Sequence, residues 1–352
     1  LQHRLTFEYW LAPFVGDKKL NPWVRELLYT ALFQMQYLNK IPQHAIFNES
    51  IEVAKILGHV GTAKFVTAIL HNISRQGLPD TAAIADPIAR LSVEASLPVW
   101  LINELVAQNG EAATRALVAT INDAPMQSVR VNTVLATDEE VVASLAAENM
   151  TATPSQVADH AYIVSGGHVA SSTAYQKGWL TLQDESAMLP VESMHLTPAV
   201  KNVLDAAAAP GGKTTQIAAL VADDAQILAL DVHPHKIKLI EQNAMRLQVA
   251  DRIATQVLDA RQVPTEVATK FDRILVDAPC SGFGLLRRKP EIRYDKTLED
   301  VQNLARLQGE ILDSVSQNVA ENGMIVYSTC TILRQENDDV IAQFLAKHPE
   351  FE

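Results

Sequence analysis

Cys280 and Cys330 are the two cysteines of this 352-residue chain, and neither sits in apolar sequence. Cys280 lies in "DAPCSGFG" and Cys330 in "YSTCT", beside Pro279, Ser281, Gly282, Ser328 and Thr329. A free cysteine is most often a small buried hydrophobe. These surroundings are unlike a core, and they suit a thiol that meets a ligand. Two cysteines are too few for a cysteine-only zinc site or a disulfide framework. A reducing, cytoplasmic setting is the plain expectation.

A second stretch, "DAAAAPGGKTTQIAAL" at residues 205–220, has the loose form of a nucleotide-phosphate loop. "RILVDAP" further on resembles a strand whose terminal Asp holds magnesium, so an NTPase is one reading. Three features oppose it. Pro210 removes a backbone donor from any phosphate cradle. Ala207 stands where a phosphate loop has Gly. Asp231 ends the next strand, about 20 residues past the glycines, where an acid accepts from ribose hydroxyls. A ligand with a ribose and no triphosphate fits better, and S-adenosylmethionine is one. Gly211 and Gly212 would let the backbone approach it, Asp231 would take the ribose, and Asp259 would reach the adenine amino group. The bland alternative for both acids is a solvated turn. Comparing ATP with S-adenosylmethionine binding separates the two classes.

The thiols and the loop have a common use. Carbon-5 of cytosine is a poor nucleophile. A thiolate added to carbon-6 gives it enamine character, so that it can accept a methyl group. An acid near ring nitrogen 3 must offset the developing charge, and Asp277 is the nearest candidate. A base must then take the carbon-5 proton so that the thiol can leave. Weaker candidates are the basic cluster Arg287, Arg288 and Lys289, which would touch phosphates, and Arg130 and Asn132, which would contact RNA or the catalytic domain. His233 and His235 lack the further ligands that a metal site needs, so no metal is expected.

The elements that must hold these residues are legible from periodicity. From about residue 200, "KNVLDA", "AQILALDV", "DRIATQVLDA", "FDRILVDAP" and "GMIVYSTC" read as strands separated by helices. This alternation predicts a parallel, Rossmann-like α/β sheet. Ligands bind at the carboxyl ends of such strands. Asp205, Asp231, Asp259, Asp277 and Cys330 all fall at or just after those ends. Before that, the first eighty residues read as a helical bundle, with Val24, Leu27, Leu28, Ala31, Leu32 and Met35 on one face and a helix start near Asn48. "QSVRVNTV" is a strand, and residues 137–185 mix short helices and strands. No apolar run is long enough to span a bilayer. The net charge of −12 argues mildly against nucleic acid, although a local basic groove can sit on an acidic protein.

"DAAAAPGGKTT", "LALDVHPHK", "VDAPCSGFGLLRRKPEIRY" and "VYSTCTILRQEND" together resemble the RNA 5-methylcytosine methyltransferases, in particular the bacterial 16S ribosomal RNA enzymes of the RsmB type. The resemblance covers nearly the whole chain. It implies a NusB-like all-α RNA-binding domain at 1–82, a small α+β middle domain at 83–193 containing the Arg-Val-Asn segment, and a methyltransferase domain at 194–352. The first and last would be incomplete at the chain's two ends. By the resemblance Ala207, Ala208, Ala209, Pro210, Gly211, Gly212 and Lys213 form the S-adenosylmethionine loop, and Asp231, Asp259 and Asp277 line the cofactor and cytosine pockets. Cys330 is the nucleophile and Cys280 assists product release. DNA cytosine methyltransferases instead attack with the Pro-Cys thiol, so possession of both thiols discriminates. Ala207 stands where the family often has Cys, a position without a nucleophilic role. The expected partner is ribosomal RNA, naked or as a particle, bound by a monomer. Transfer RNA and 23S ribosomal RNA are the alternatives. The target base would have to leave its stack.

Overall fold

A computed structural model of the chain describes residues 1–17 and 19–352. The elements run as helices α1 (Arg4–Val15), α2 (Pro22–Tyr37), α3 (Gln43–Leu57), α4 (Val60–Gln76), α5 (Pro87–Ala95), α6 (Val99–Asn109) and α7 (Glu111–Thr120). Next come β1 (Gln127–Val131), α8 (Asp138–Ala147), β2 (Thr151–Pro154), β3 (Ala161–Ser165), α9 (Thr173–Gln176), β4 (Leu180–Leu182) and α10 (Glu185–Glu192). The last third holds β5 (Asn202–Asp205), α11 (Gly212–Leu220), β6 (Gln226–Asp231), α12 (Pro234–Arg246), β7 (Ile253–Val257), α13 (Val263–Glu266) and β8 (Phe271–Asp277). It ends with α14 (Ile292–Asp295), α15 (Leu298–Val315), β9 (Val319–Ser328) and α16 (Asp338–Lys347). No described helix is long and apolar enough to cross a membrane.

The chain forms two compact units. One comprises Leu1–Asp123 with Lys289–Asp295, and the other comprises Ala124–Arg288 with Lys296–Glu352. The helical unit extends past residue 82, where the sequence suggests its end. Thr6 Oγ1 donates to the Val93 carbonyl at 2.6 Å and the Leu5 N–H to Ser96 Oγ at 2.8 Å, so α5 is tied to α1. The stripe read in α2 is inward: Val24, Leu28, Ala31 and Leu32 are buried, and Asn21 caps the helix ahead of Pro22. Helix α3 starts at Gln43 rather than near Asn48. Pro42 stands at its N-cap, where a residue lacking an N–H costs nothing.

The second unit has two sheets. Four antiparallel strands run in the order β2-β3-β1-β4, and five parallel strands in the order β7-β6-β5-β8-β9. The five strands foreseen near 200–330 are these five. The strand order reverses between β6-β5 and β5-β8, which opens the crevice where such sheets bind ligands. Capping boxes at Thr137/Glu140 and Thr297/Asp300 fix the starts of α8 and α15.

Lys289–Asp295 continues the Cys280 loop in sequence yet packs in the helical unit. There Arg293 is fully buried and donates to the carbonyls of Gln2 (2.7 Å), Ala95 (3.1 Å) and Ile121 (3.3 Å) and to Asn122 Oδ1 (2.7 Å). A chain without that guanidinium leaves buried acceptors unpaired. Arg293→Met should therefore lower stability by about 2–3 kcal/mol. Urea unfolding of the helical signal measures it, and a midpoint equal to the parent's would show that those carbonyls do not depend on Arg293.

Candidate active site

Strands β8 and β9 end in register, Asp277 opposite Ser328. Each chain then leaves the sheet over the same rim. The Ala278 N–H donates to the Ser328 carbonyl at 2.8 Å, and the Gly284 N–H to the Cys330 carbonyl at 2.9 Å. Gly284 admits this approach because a Cβ there would stand 2.8 Å from that oxygen. The two loops bring the Cys280 and Cys330 sulfurs to 3.2 Å, with the Cys330 N–H 3.3 Å from the Cys280 sulfur. Both thiols are free, and Cys330 is exposed.

The sulfur contact divides the roles. A hydrogen bond with the Cys280 thiol lowers the pKa of Cys330 to about 7, against burial and the Asp277 charge and with a smaller contribution from the Lys213 charge. The pKa of Cys280 is raised, first by that same bond and then by burial. The two shifts together favour ionisation of Cys330 over Cys280. A depressed thiol of this kind is a ready nucleophile.

The loop after β5 supplies the neighbouring wall. Gly211 has φ +100° and a Cβ there would lie 3.1 Å from Ile240 Cα, so α11 starts tight against α12 at a position that suits only glycine. Asn243 Nδ2 holds the Pro210 carbonyl at 2.8 Å, and the Ala208 N–H donates to the Leu230 carbonyl at 2.8 Å. The peptide between Ala209 and Pro210 is cis. Lys213 does not face an empty phosphate cradle. Its ammonium donates to Asp277 Oδ2 at 2.7 Å, while Ser328 Oγ donates to Oδ1 at 2.9 Å. Thr214 Oγ1 donates to the buried Asp205 at 2.7 Å, and burial pushes that acid up to about 7.

Asp231 is buried at the end of β6. Its Oδ1 accepts the His233 N–H at 2.9 Å, and Lys236 Nζ stands 4.0 Å from Oδ2. Asp259 follows β7, as the sequence suggests. Its oxygens accept from the Arg261 backbone and guanidinium, the guanidinium bond holds its pKa low, and Arg261 also reaches Glu310 at 2.9 Å. It is the ion-paired cap of a short turn.

The suggested RNA contacts at Arg130 and Asn132 are corrected, because both are buried. Arg130 donates to Gln183 Oε1 (2.8 Å), Thr215 Oγ1 (3.2 Å) and the Gly212 carbonyl (3.4 Å), bracing the first turn of α11. Burial and then the Arg246 charge pull its pKa down to about 9. Asn132 Nδ2 holds the carbonyls of Gly178 and Leu247 at 3.0 and 2.8 Å. Their service is to the catalytic framework, the other role read for them in the sequence. Arg287, Arg288 and Lys289 are exposed, but Arg288 is committed to Asp184 Oδ2 (2.8 Å) and the Met126 carbonyl (2.9 Å). The sequence reading overlooked Ser328 as a partner of Asp277. Its signal was a hydroxyl two residues before the thiol, at the strand end.

Comparison with known proteins bears on what this site serves. Residues 193–352 match the model of the 16S rRNA methyltransferase RsmB/F, residues 1–75 that of the NusB family, and residues 97–169 that of the ferredoxin-like domain of RsmF/B-like methyltransferases. The chain is 42% identical to the probable ribosomal RNA small subunit methyltransferase B of Bacillus subtilis, over 100% of this chain and 79% of that protein. It is 31% identical to the protein of the same name in Synechocystis, over 96% of this chain and 76% of that one. The crystal structure of PH0851 superposes with a TM-score of 0.84 at 26% identity, covering 100% of this chain and 79% of that one.

The sulfur pair makes its own prediction. Carboxymethylation of Cys330 should be half-maximal near pH 7, against about 8.5 for an ordinary thiol. In Cys280→Ala the S–H donor is gone, the thiolate loses its stabilisation, and the midpoint should rise. Peptide mass spectrometry across a pH series reads both values, and identical midpoints in the two proteins would remove the sulfur contact as the cause.

Proposed function

The chain belongs to the RsmB/F family of 16S rRNA methyltransferases, and from that premise we propose that it methylates carbon-5 of a cytosine in 16S ribosomal RNA through a covalent bond between Cys330 and carbon-6. It is an S-adenosylmethionine-dependent RNA methyltransferase. The observation that carries the finer reading is the 3.2 Å contact between a thiolate-forming Cys330 and a proton-bearing Cys280.

The residues present fit the cofactor. The backbone of Ala207–Gly212 folds tightly against α12 with a positive-φ glycine where α11 begins, and Asp231 closes the next strand. That loop and the α11 N-terminus would hold the ligand, with Asp231 Oδ2 accepting from its ribose. When bound, S-adenosylmethionine supplies the methyl group as an electrophile. Asp259, already paired with Arg261, offers only its remaining lone pairs to the base.

Cys330 attacks as the thiolate, so no separate base is needed for this step. Its addition puts electron density on carbon-5 and ring nitrogen 3. The Lys213 ammonium, held by Asp277 at the same rim, offsets the charge at nitrogen 3. After carbon-5 carries its methyl group, loss of the carbon-5 proton to a base lets the carbon–sulfur bond break with its electrons on Cys330. The Cys280 S–H, hydrogen-bonded to that sulfur, stabilises the departing thiolate. In this reading residues 1–82 dock the RNA, 83–193 brace α11 through Arg130, and 194–352 perform the chemistry.

Three experiments test the reading. Asp231→Ala should weaken S-adenosylmethionine binding by about 1.5–3 kcal/mol, one lost charge-assisted acceptor. Unchanged affinity by calorimetry in the folded variant would take Asp231 out of the ribose role. For the chemistry, Cys330→Ala should give neither methylated RNA nor a covalent adduct. Cys280→Ala should methylate and then stall with RNA attached, visible as a shifted band on a denaturing gel. The reverse pattern would make the Pro-Cys thiol the nucleophile, and methylation intact in both variants would end the covalent scheme. Bisulfite mapping of cellular RNA decides between 16S, 23S and transfer RNA targets.

A further inference from the structure

Each catalytic loop carries a hydroxyl residue directly after its cysteine, Ser281 after Cys280 and Thr331 after Cys330. Both hydroxyls are buried, with their oxygens 2.9 Å apart. Beneath them lies Glu336, fully buried in the turn that leads to α16. Its Oε1 accepts the Ser281 N–H at 2.8 Å and Gln308 Nε2 at 3.0 Å, and its Oε2 accepts the Ser281 hydroxyl. Gln308, on α15, also donates to the Pro279 carbonyl at 2.9 Å.

The direction of these bonds is fixed by chemistry. A carboxylate only accepts, so Ser281 must spend its proton on Glu336. The Thr331 hydroxyl must then donate to Ser281 Oγ, and the Thr331 oxygen takes the Leu333 N–H at 3.4 Å. The chain runs from Leu333 through Thr331 and Ser281 to Glu336. The adjacent Asn337 adds a second hold on the Cys330 loop: its Oδ1 takes the Thr329 hydroxyl at 2.6 Å, and its Nδ2 reaches the Thr331 and Leu333 carbonyls. A buried carboxylate is costly unless well provided with donors. Here the donors are Ser281, directly after Cys280 and in turn bonded by Thr331, and Gln308, which also grips the Pro279 carbonyl.

We propose that Glu336 is a positioning residue: its carboxylate, acting through Ser281 and Thr331, clamps the two cysteine loops together and so sets the distance between the two sulfurs. It touches no reacting atom. Each cysteine is one peptide away from the clamp. Without the carboxylate, Ser281 loses the acceptor for its N–H and its hydroxyl at once. The Cys280 loop is then free to move by a fraction of the sulfur contact. The inference rests on the reading that Cys280 donates to Cys330, but its test needs neither RNA nor methyl transfer.

Carboxymethylation of Cys330 by iodoacetate is followed against pH in the full chain. The charged groups acting on Cys330 besides Cys280 are Lys213 and Asp277, and Glu336 variants alter neither. Glu336→Ala should raise the midpoint from about 7 toward the ordinary value of about 8.5. Glu336→Gln should keep a midpoint near the parent's. Its Oε1 still accepts the Ser281 N–H, and its amide donates to Ser281 Oγ, whose proton turns to Thr331. A folded Glu336→Ala protein with the parent's midpoint and normal S-adenosylmethionine affinity overturns the proposal. If Glu336→Ala does not fold, Ser281→Ala/Thr331→Val decides: the midpoint must rise there too, and an unmoved midpoint overturns it. A chain that shifts its midpoint as stated but forms no RNA adduct would refute covalent methylation and leave the clamp standing.

Discussion

One contact organises the active face, the 3.2 Å approach of the Cys280 and Cys330 sulfurs. It exists because β8 and β9 are parallel neighbours that end in register, so the residues just past Asp277 and Ser328 leave the sheet side by side. Parallel neighbours need a long crossover, here made by α15. The segment that separates the thiols in sequence is therefore also what brings them together. Gln308, in the same crossover helix, grips the Pro279 carbonyl and Glu336 at once. The connection thus holds the loops as well as spanning them.

The second half of the site joins this pair through charge. Lys213 leaves the first turn of α11 and ends on Asp277, at the end of β8. A lysine after two glycines suggests phosphate when read along the chain. In the fold its partner is a carboxylate already positioned by Ser328, whose strand leads to Cys330. The half-buried pair stands close to Cys330, where the Asp277 charge raises the thiol's pKa and the Lys213 charge lowers it.

The sequence made the strands, their carboxyl-end acids and the two thiols legible because each is a local signal: a short apolar run, then an Asp or a Cys among small residues. What it hid were contacts whose partners come from elsewhere. Arg130 and Asn132 look like polar surface in "QSVRVNTV", yet acceptors from α11, the Gln183 side chain, Gly178 and Leu247 make burial of each favourable. Arg293 belongs by sequence with the basic cluster after Cys280. Four helical-unit acceptors claim it instead. Glu336 sits in a charged run, "RQEND", where nothing local distinguishes the buried acid from Asp338, which is exposed. Periodicity also could not place residues 83–123, because a helix's pattern shows which face is apolar but not which neighbour covers it.

A thiolate nucleophile is commonly made by a neighbouring histidine, which takes the proton away. In the mechanism proposed for this chain the proton stays on a second thiol. That choice has a consequence for both ends of the reaction. A thiolate of lower pKa is more abundant at neutral pH but somewhat less nucleophilic, and it is also a better leaving group. In the proposed scheme, which forms a carbon–sulfur bond and then breaks it, the second step gains what the first gives up. With the Cys280 S–H fixed against the Cys330 sulfur, the same hydrogen bond serves the free thiolate and the departing one. It is weakest in between, when the sulfur carries carbon and no charge. The donor therefore biases the site against the adduct, which is why the distance between the two sulfurs must be held from beneath by groups that take no part in the bond changes.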